Sequence, residues 1–361
     1  VFFNENLLYL CCQRHEKDVR TVFRFDKEQT VLDFNGIKIG GQPGEHPRVL
    51  GASIFYNKQE IVLDEHTGKI DKEKAEALWN RTQELYDLTG NPFFCQIISE
   101  HGEAFENYFQ WFDSIDNRTP FLMDSSDPAA LAHATKFVDE VGLSDRAIYN
   151  SINGSITPEN IETLKNSNVN SAIVLAFNPG DGTVVGKEKV LNEGGVAGQE
   201  KSMKQIAEDC GITRPILDTA ATPLGLGSAG SFRHILACKA IHGLPCGGAY
   251  HNMTVSWTWL KRWRKNGLAQ IYEGKEALAE QMFHHYFGGI DGIRQAAWSS
   301  PDIGCNIIAM TLGADLIMYG PIESMEPMAT TAAFCDIVLG EACKELGGEI
   351  QEENHPFYRM I

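Results

Sequence analysis

The sequence is poor in the signals that would place it at a glance. Its nine cysteines form no CxxC pair, and HExxH, DxDxDG and clustered Cys/His spacings do not occur, so the common zinc and calcium patterns are missing. No apolar run approaches the roughly 18 residues that a spanning helix needs, which predicts a chain without a membrane anchor of its own. The opening VFFNENLLYLCCQRHEKD has no basic n-region and no small-residue cleavage site, unlike a secretory leader. The scattered, odd-numbered cysteines then read as reduced thiols of a cytoplasmic protein. In that compartment the N-x-S/T triplets at Asn80, Asn117, Asn153 and Asn252 carry little meaning. Basic charge is also scarce: 31 Lys and Arg against 48 Asp and Glu, a formal net charge of −17. Such a balance repels phosphate backbones and argues against nucleic acid as a partner. No GxxxxGK[S/T] loop occurs, and GLGSAG at Gly225–Gly230 follows no first Rossmann strand, so a nucleotide fold is not indicated.

What is present is ordinary globular material of 361 residues, 43% hydrophobic and 22% charged, long enough for a full core. Asn35-Gly36 between Thr30–Phe34 and Ile37–Ile39 is a strong hairpin signal, because both residues accept positive φ. A βα rhythm follows. Strand-like runs are read at Val49–Phe55, Phe93–Ile98, Pro120–Met123, Ala147–Tyr149, Ser171–Phe177, Pro215–Leu217, Leu244–Tyr250 and Asp315–Tyr319. Helix patterns fall between them, Thr157 serving as an N-cap with Pro158 at the first helical position. A long helix from about Thr330 to Leu346 closes the series. Eight such units predict an α/β fold, a (β/α)8 TIM barrel with an N-terminal β-hairpin and a long C-terminal helix. An open doubly wound sheet is the alternative, since periodicity does not reveal closure. Residues 1–21, without firm period, are read as an N-terminal extension, and 22–361 as a single barrel domain.

The informative feature is what ends the strands. Asp124, Asn150, Asn178, Asp218 and Asn252 each follow a short apolar run, separated by 26, 28, 40 and 34 residues. In a barrel this register puts all five on the C-terminal rim. One Asx after a strand is as readily a turn former; five in register point to a site. Asp124 and Asp218 could share one octahedral cation with several waters. The amides argue instead for a neutral polar organic ligand with paired donors and acceptors, and no metal is expected. Gly180–Gly198 reads as a loop, and Asn192–Lys201 within it and beyond as a lid or tight turn. Trp257–Gly267 reads as a helix with buried tryptophans and a solvated basic face rather than a docking surface. His234 reads as solvated or at the core edge, His251 as a rim residue, and Glu323 as a loop carboxylate.

The phrases IGGQPGEHP, FLMDSSDP, AIYNSINGSI, IVLAFNPGD, ILDTAATPLG and GGAYHNM give the chain, from about Val22 to near Leu346, a resemblance to a known family. It resembles the family of the H subunit of tetrahydromethanopterin S-methyltransferase, together with that family's bacterial relatives in corrinoid-linked methyl metabolism. Residues 1–21 have no counterpart there. The resemblance implies a pterin-binding barrel that moves a methyl group between a corrinoid cobalt and N5 of tetrahydrofolate or tetrahydromethanopterin. It implies that Asp124, Asp218 and Asn150 hold the pterin ring and that Asn252 acts at N5. Asn178 belongs to a family phrase and is kept as a binding candidate without a defined role. No cobalamin-binding DxHxxG phrase occurs, so the corrinoid is expected on a partner protein. A second methyltransferase subunit and a homodimer are further expectations, and peripheral association with a membrane complex is compatible with the family. Two other readings stand beside this one: a non-catalytic pterin-binding or scaffold subunit, and a barrel hydrolase or lyase using the two carboxylates as acid and base.

Overall fold

The computed structural model describes residues 22–262, 273–287 and 289–361. The 1–21 extension lies outside the described residues, as do Trp263, Arg264 and Lys265. Asn35 (φ 53°) and Gly36 (φ 91°) take the left-handed conformations expected of them and join β1 (Val31–Phe34) to β2 (Ile37–Gly40). After β3 (Val49–Ile54), a small hairpin of β4 (Val62–Asp64) and β5 (Lys69–Ile70) intervenes. Then come β6 (Phe93–Ile98), β7 (Phe121–Asp124), β8 (Ala147–Ile152), β9 (Ser171–Leu175), β10 (Arg214–Asp218), β11 (Cys246–Gly248) and β12 (Leu316–Pro321). With β3 these form one closed parallel barrel in chain order. The open-sheet alternative is thereby excluded.

Alternation along each strand sorts the residues into two environments. One set of side chains packs outward against the helices. The other set faces inward, where Val49, Phe94, Leu122, Ile148, Ile173, Ile216 and Leu316 form a buried apolar layer. Phe34 and Ile39 of the first hairpin join that cluster and stopper the N-terminal end of the barrel. Arg214, at the start of β10, fastens the stopper. Its guanidinium lies 5.0 Å from the Phe34 ring centroid and donates to the Asp33 carbonyl at 3.1 Å. The helices begin where their caps dictate: Asp127 caps Pro128–Glu140, and Thr157 with Asn160 forms a capping box on Pro158–Lys165.

Several expectations need correction. Gly180–Gly198 is not all loop; it contains the helix Val184–Asn192, capped by Thr183. Gly186 is required inside that helix because a Cβ there would lie 2.2 Å from the Asp181 carbonyl. β7 lies one residue beyond its expected bounds, and β8 runs on to Ile152, so that Asn150 lies within it and not after it. β9 ends at Leu175 and not at Phe177, and the seventh strand shrinks to Cys246–Gly248. Its glycines let β11 press against β12: a Cβ on Gly247 would meet the Leu316 carbonyl at 2.0 Å. The tryptophan segment follows a short helix, His251–Ser256, and opens with a second, Thr258–Arg262, with Trp259 exposed and ring-stacked on Trp257. Trp259 is therefore not a core residue. The long terminal helix runs from Met325 to Glu345, starting earlier than expected. Among the described residues no helix is long and apolar enough to cross a membrane.

Candidate functional site

Two residues beyond the apolar layer, the same inward column turns polar. Phe94 is followed by Gln96, Leu122 by Asp124, Ile148 by Asn150 and Ile216 by Asp218. These four polar residues line a cleft of about 360 Å³ at the C-terminal mouth, with Ser53, His251 and Asn252 among the other walls. Asp124 and Asn150 are direct neighbours across the β7–β8 ladder. Four of the five rim positions read from sequence thus share one cleft. The fifth does not: Asn178 donates to the Gly186 carbonyl at 3.0 Å and accepts from the Gly180 and Asp181 amides at 3.0 and 3.1 Å. Its amide organises the loop after β9 and does not line the cleft.

Asp218 is buried, and its Oδ1 accepts the Ala220 backbone N–H at 2.7 Å. That N–H is aimed by an unusual backbone, since Ala220 has φ 54°. The Ala220 carbonyl is held from behind by the buried Lys187 ammonium at 2.9 Å and by the Ser231 hydroxyl at 2.7 Å. Burial pushes the Asp218 carboxyl up to about 6, with the Asp124 charge adding to the rise and the Ala220 amide and Lys187 opposing it. Burial pulls Lys187 down to about 8 against the attraction of Asp218.

On the opposite wall a chain of hydrogen bonds supports Asp124. Ser53 donates to Gln96 Oε1 at 2.9 Å, and Gln96 Nε2 donates to Asp124 Oδ2 at 2.5 Å. Burial raises Asp124 to about 6 as well; the Gln96 bond lowers it and nearby Glu100 raises it. The buried Asn150 amide reaches the Met318 sulfur at 3.9 Å, a weak acceptor that a ligand oxygen or ring nitrogen would outcompete. The Asn150–Ser151 peptide is cis.

Asn252 is exposed on the first turn of the helix after β11, and its side chain makes no hydrogen bond to the described residues. Next to it, His251 Nδ1 donates to the Met318 carbonyl at 3.0 Å. Burial lowers its pKa, which favours the neutral ring, and with Nδ1 donating, Nε2 is then the acceptor. Gly320 (φ 91°) makes room for it: a Cβ there would lie 2.8 Å from His251 Cδ2.

Gln96 and Ser53 escaped sequence reasoning. The available signal was a lone amide inside the apolar run FFCQII. Glu323 serves structure: its carboxylate accepts from Tyr56 Oη at 3.2 Å and Gln59 Nε2 at 3.0 Å. His234, expected at the surface or core edge, is fully buried. It and His242 hydrogen-bond the two oxygens of Glu188 at 2.8 and 3.0 Å. Burial would raise Glu188, but the imidazoles hold its carboxyl well below the usual range. Among the described residues, Glu188–His234–Cys238 and Glu65–His66–His101 have metal-ligand proximity. Neither group includes Asp124 or Asp218.

The cleft therefore brings together two carboxylates, three amides and an imidazole, a set suited to a polar ligand that carries several donors and acceptors. Solved structures share the architecture: a 7,8-dihydropteroate synthase from Vibrio fischeri aligns with TM-score 0.51 at 13% identity, covering 86% of this chain and 98% of that one. That likeness concerns the fold alone. Sequence relatives are much nearer. The H subunit of tetrahydromethanopterin S-methyltransferase from Methanosarcina barkeri is 44% identical over 340 residues, covering 94% of this chain and all of the relative. Its counterpart from Methanopyrus kandleri is 42% identical over 330 residues, 91% and 97% of the two chains. The family model described as tetrahydromethanopterin S-methyltransferase MtrH subunit matches residues 27–351. With nine-tenths of its length covered on both counts, this chain belongs to the tetrahydromethanopterin S-methyltransferase MtrH subunit family.

Proposed function

We propose that this protein is a methyltransferase moving a methyl group between N5 of a tetrahydropterin and the cobalt of a corrinoid carried by a separate protein. The observation that carries the reading is the convergence of Asp124, Asn150, Asp218 and Asn252 on one cleft at the barrel mouth, in a chain of this family. Tetrahydromethanopterin, which the relatives' names contain, is the preferred pterin.

Each side chain has a task that its surroundings suit. A pterin offers a ring N–H beside an exocyclic amine, and one carboxylate can accept both in a paired, charge-assisted fashion. Asp218, fixed by the Ala220 amide, is assigned that grip. Asp124 and Asn150, adjacent on the ladder, take the remaining ring edge. Methyl transfer changes the charge on N5, and an amide can turn oxygen to a protonated N5 or NH₂ to its lone pair. Asn252, whose side chain is uncommitted, is assigned to that atom as the catalytic residue. The corrinoid supplies a cobalt that accepts or gives up the methyl group. The protein itself contributes alignment and fixed dipoles around the changing charge. No covalent intermediate on the chain is required.

An acid–base hydrolase or lyase would need two carboxyls with pKa values pushed apart. Asp124 and Asp218 are both raised to about 6, which does not divide them into acid and base. The reading is tested by calorimetric titration with tetrahydromethanopterin and tetrahydrofolate, followed by a transfer assay with a methylated corrinoid protein. Binding of at least one pterin with turnover is expected. Failure of both pterins to bind overturns the proposal, and binding without turnover leaves a non-catalytic subunit. Asn252→Ala should lower the transfer rate by roughly 100-fold and pterin affinity by less than about fivefold; equal losses would move Asn252 to ground-state recognition.

A further inference from the structure

A second cleft of about 370 Å³ opens beside the first on the same face of the barrel. The two share one wall, made by Ser151, Leu175 and Phe177. Tyr149 and Leu131 line the second cleft from below. Tyr149 alternates with Asn150 along β8, so it faces the helix layer while Asn150 faces the barrel interior. The second cleft therefore lies between the barrel and the helix Pro128–Glu140, whereas the first lies within the barrel. Its rim is formed by the loops after β7, β8 and β9, including Ser125, Ser126 and Ser155.

Its chemistry differs from that of the central cleft. Among the described residues lining it there is no lysine, arginine, aspartate or glutamate. Beneath the hydroxyl rim, Leu131, Tyr149 and Ile156 supply an apolar floor. The side chains of Ser125 and Ser126 are tied to Glu100 at 3.1 and 3.0 Å, which fixes that edge and places a negative charge behind it. Phe177, the ring on the shared wall, is 45% exposed. A large aromatic side chain left exposed on the wall that two neighbouring clefts share offers a stacking face to a ligand that reaches over that wall from one to the other.

We infer that the side cleft receives the arylamine arm of the substrate, with Phe177 stacking at the crossing. The inference rests on the pterin reading of the central cleft and extends it. A reduced pterin ring occupies the polar cleft; the arm that folate- and methanopterin-type cofactors carry beyond that ring is aromatic, uncharged at its near end and joined through a short flexible link. An apolar floor with a neutral hydroxyl rim matches that arm. A polyanionic group has no cation to meet there and would face Glu100.

The test compares a ring-only probe, 6-methyltetrahydropterin, with tetrahydromethanopterin by calorimetric titration. It uses wild-type protein and two blocking variants on opposite walls, Ser126→Trp and Ser155→Trp. Both positions touch the side cleft and not the central one. Wild-type protein should bind the arm-bearing pterin at least about tenfold more tightly than the ring-only probe. Each blocking variant should bring the two affinities within about threefold of each other while leaving the ring-only affinity unchanged; that unchanged value also shows that the variant is folded. If the wild type binds both probes equally, or if both variants keep the full preference, the side cleft does not hold the arm and the pterin reading still stands. If neither probe binds wild-type protein, both fall together.

Discussion

Gln96 and Asp124 stand on adjacent strands and share a hydrogen bond of 2.5 Å that runs from the amide nitrogen to the carboxylate. The bond works against burial, which alone would raise Asp124 further. Both carboxyls of the cleft reach about 6, and a carboxylate must be ionised to accept two pterin N–H donors. Pterin affinity should therefore be flat above neutrality and fall as pH drops through about 6. Gln96→Leu removes the donor, so the midpoint of that fall should move up by roughly one pH unit. Calorimetric titrations between pH 5 and 8 measure it; an unmoved midpoint would show that Asp124 does not control binding.

Lys187 is the buried counterpart on the other side. It braces the carbonyl of Ala220, whose N–H in turn holds Asp218. Lys187→Met keeps a similar shape but removes the charge and the donor. Asp218 should titrate higher and pterin affinity at pH 7 should drop about tenfold, with the pH midpoint of binding displaced upward. A purely structural role would lower thermal stability while leaving that midpoint in place.

The same buried charges have a cost in the ligand-free protein. Each carboxyl titrates at about 6 when folded against a reference of 3.8, so the native state binds more protons than the unfolded chain between those values. Stability from these groups is present at low pH and lost as pH rises through that window. Asp218→Asn and Asp124→Asn should each raise unfolding stability at pH 7 by about 1–3 kcal/mol and abolish tight pterin binding. Urea unfolding at pH 7 and at pH 4 checks the sign, because the gain should vanish at the lower pH.

Gly320 tests the placement of His251 and its neighbour Asn252. Gly320→Ala forces a side chain into a left-handed backbone and against the imidazole. A loss of about 1–3 kcal/mol in stability is expected, with methyl transfer falling more than pterin binding. A variant with wild-type stability and transfer would show that Gly320 does not set the position of His251.

Much of this architecture was legible because barrel strands repeat a simple rule. Asp124, Asn150 and Asp218 could be placed by register alone, since each lies two residues beyond an inward apolar side chain. Asn178 has the same local signature, an Asx after a strand, yet spends its amide on its own loop. Sequence cannot separate those fates, because turn formation and ligand binding ask for the same short polar side chain. Gln96 was hidden for the opposite reason: it breaks an apolar run without ending it, and its partners Ser53 and Asp124 are 43 and 28 residues away in sequence. The helix Val184–Asn192 was masked by glycines that serve close packing, as Gly186 does against Asp181. The β4–β5 hairpin was too short to leave a period.

The stopper made by Phe34, Ile39 and Arg214 closes the barrel at its far end, so the polar cleft opens on the opposite side, at the mouth. On the proposed reaction that opening is also where the corrinoid protein must sit to bring cobalt to N5. On that reading, a seated partner would cover the mouth through which the small substrate enters and leaves. Turnover becomes a compulsory sequence, with the pterin loading first, the corrinoid protein capping second, and release possible after the cap departs. Raising the partner's concentration far enough should slow the cycle, as substrate inhibition by a macromolecule that traps the site in whichever state it covers.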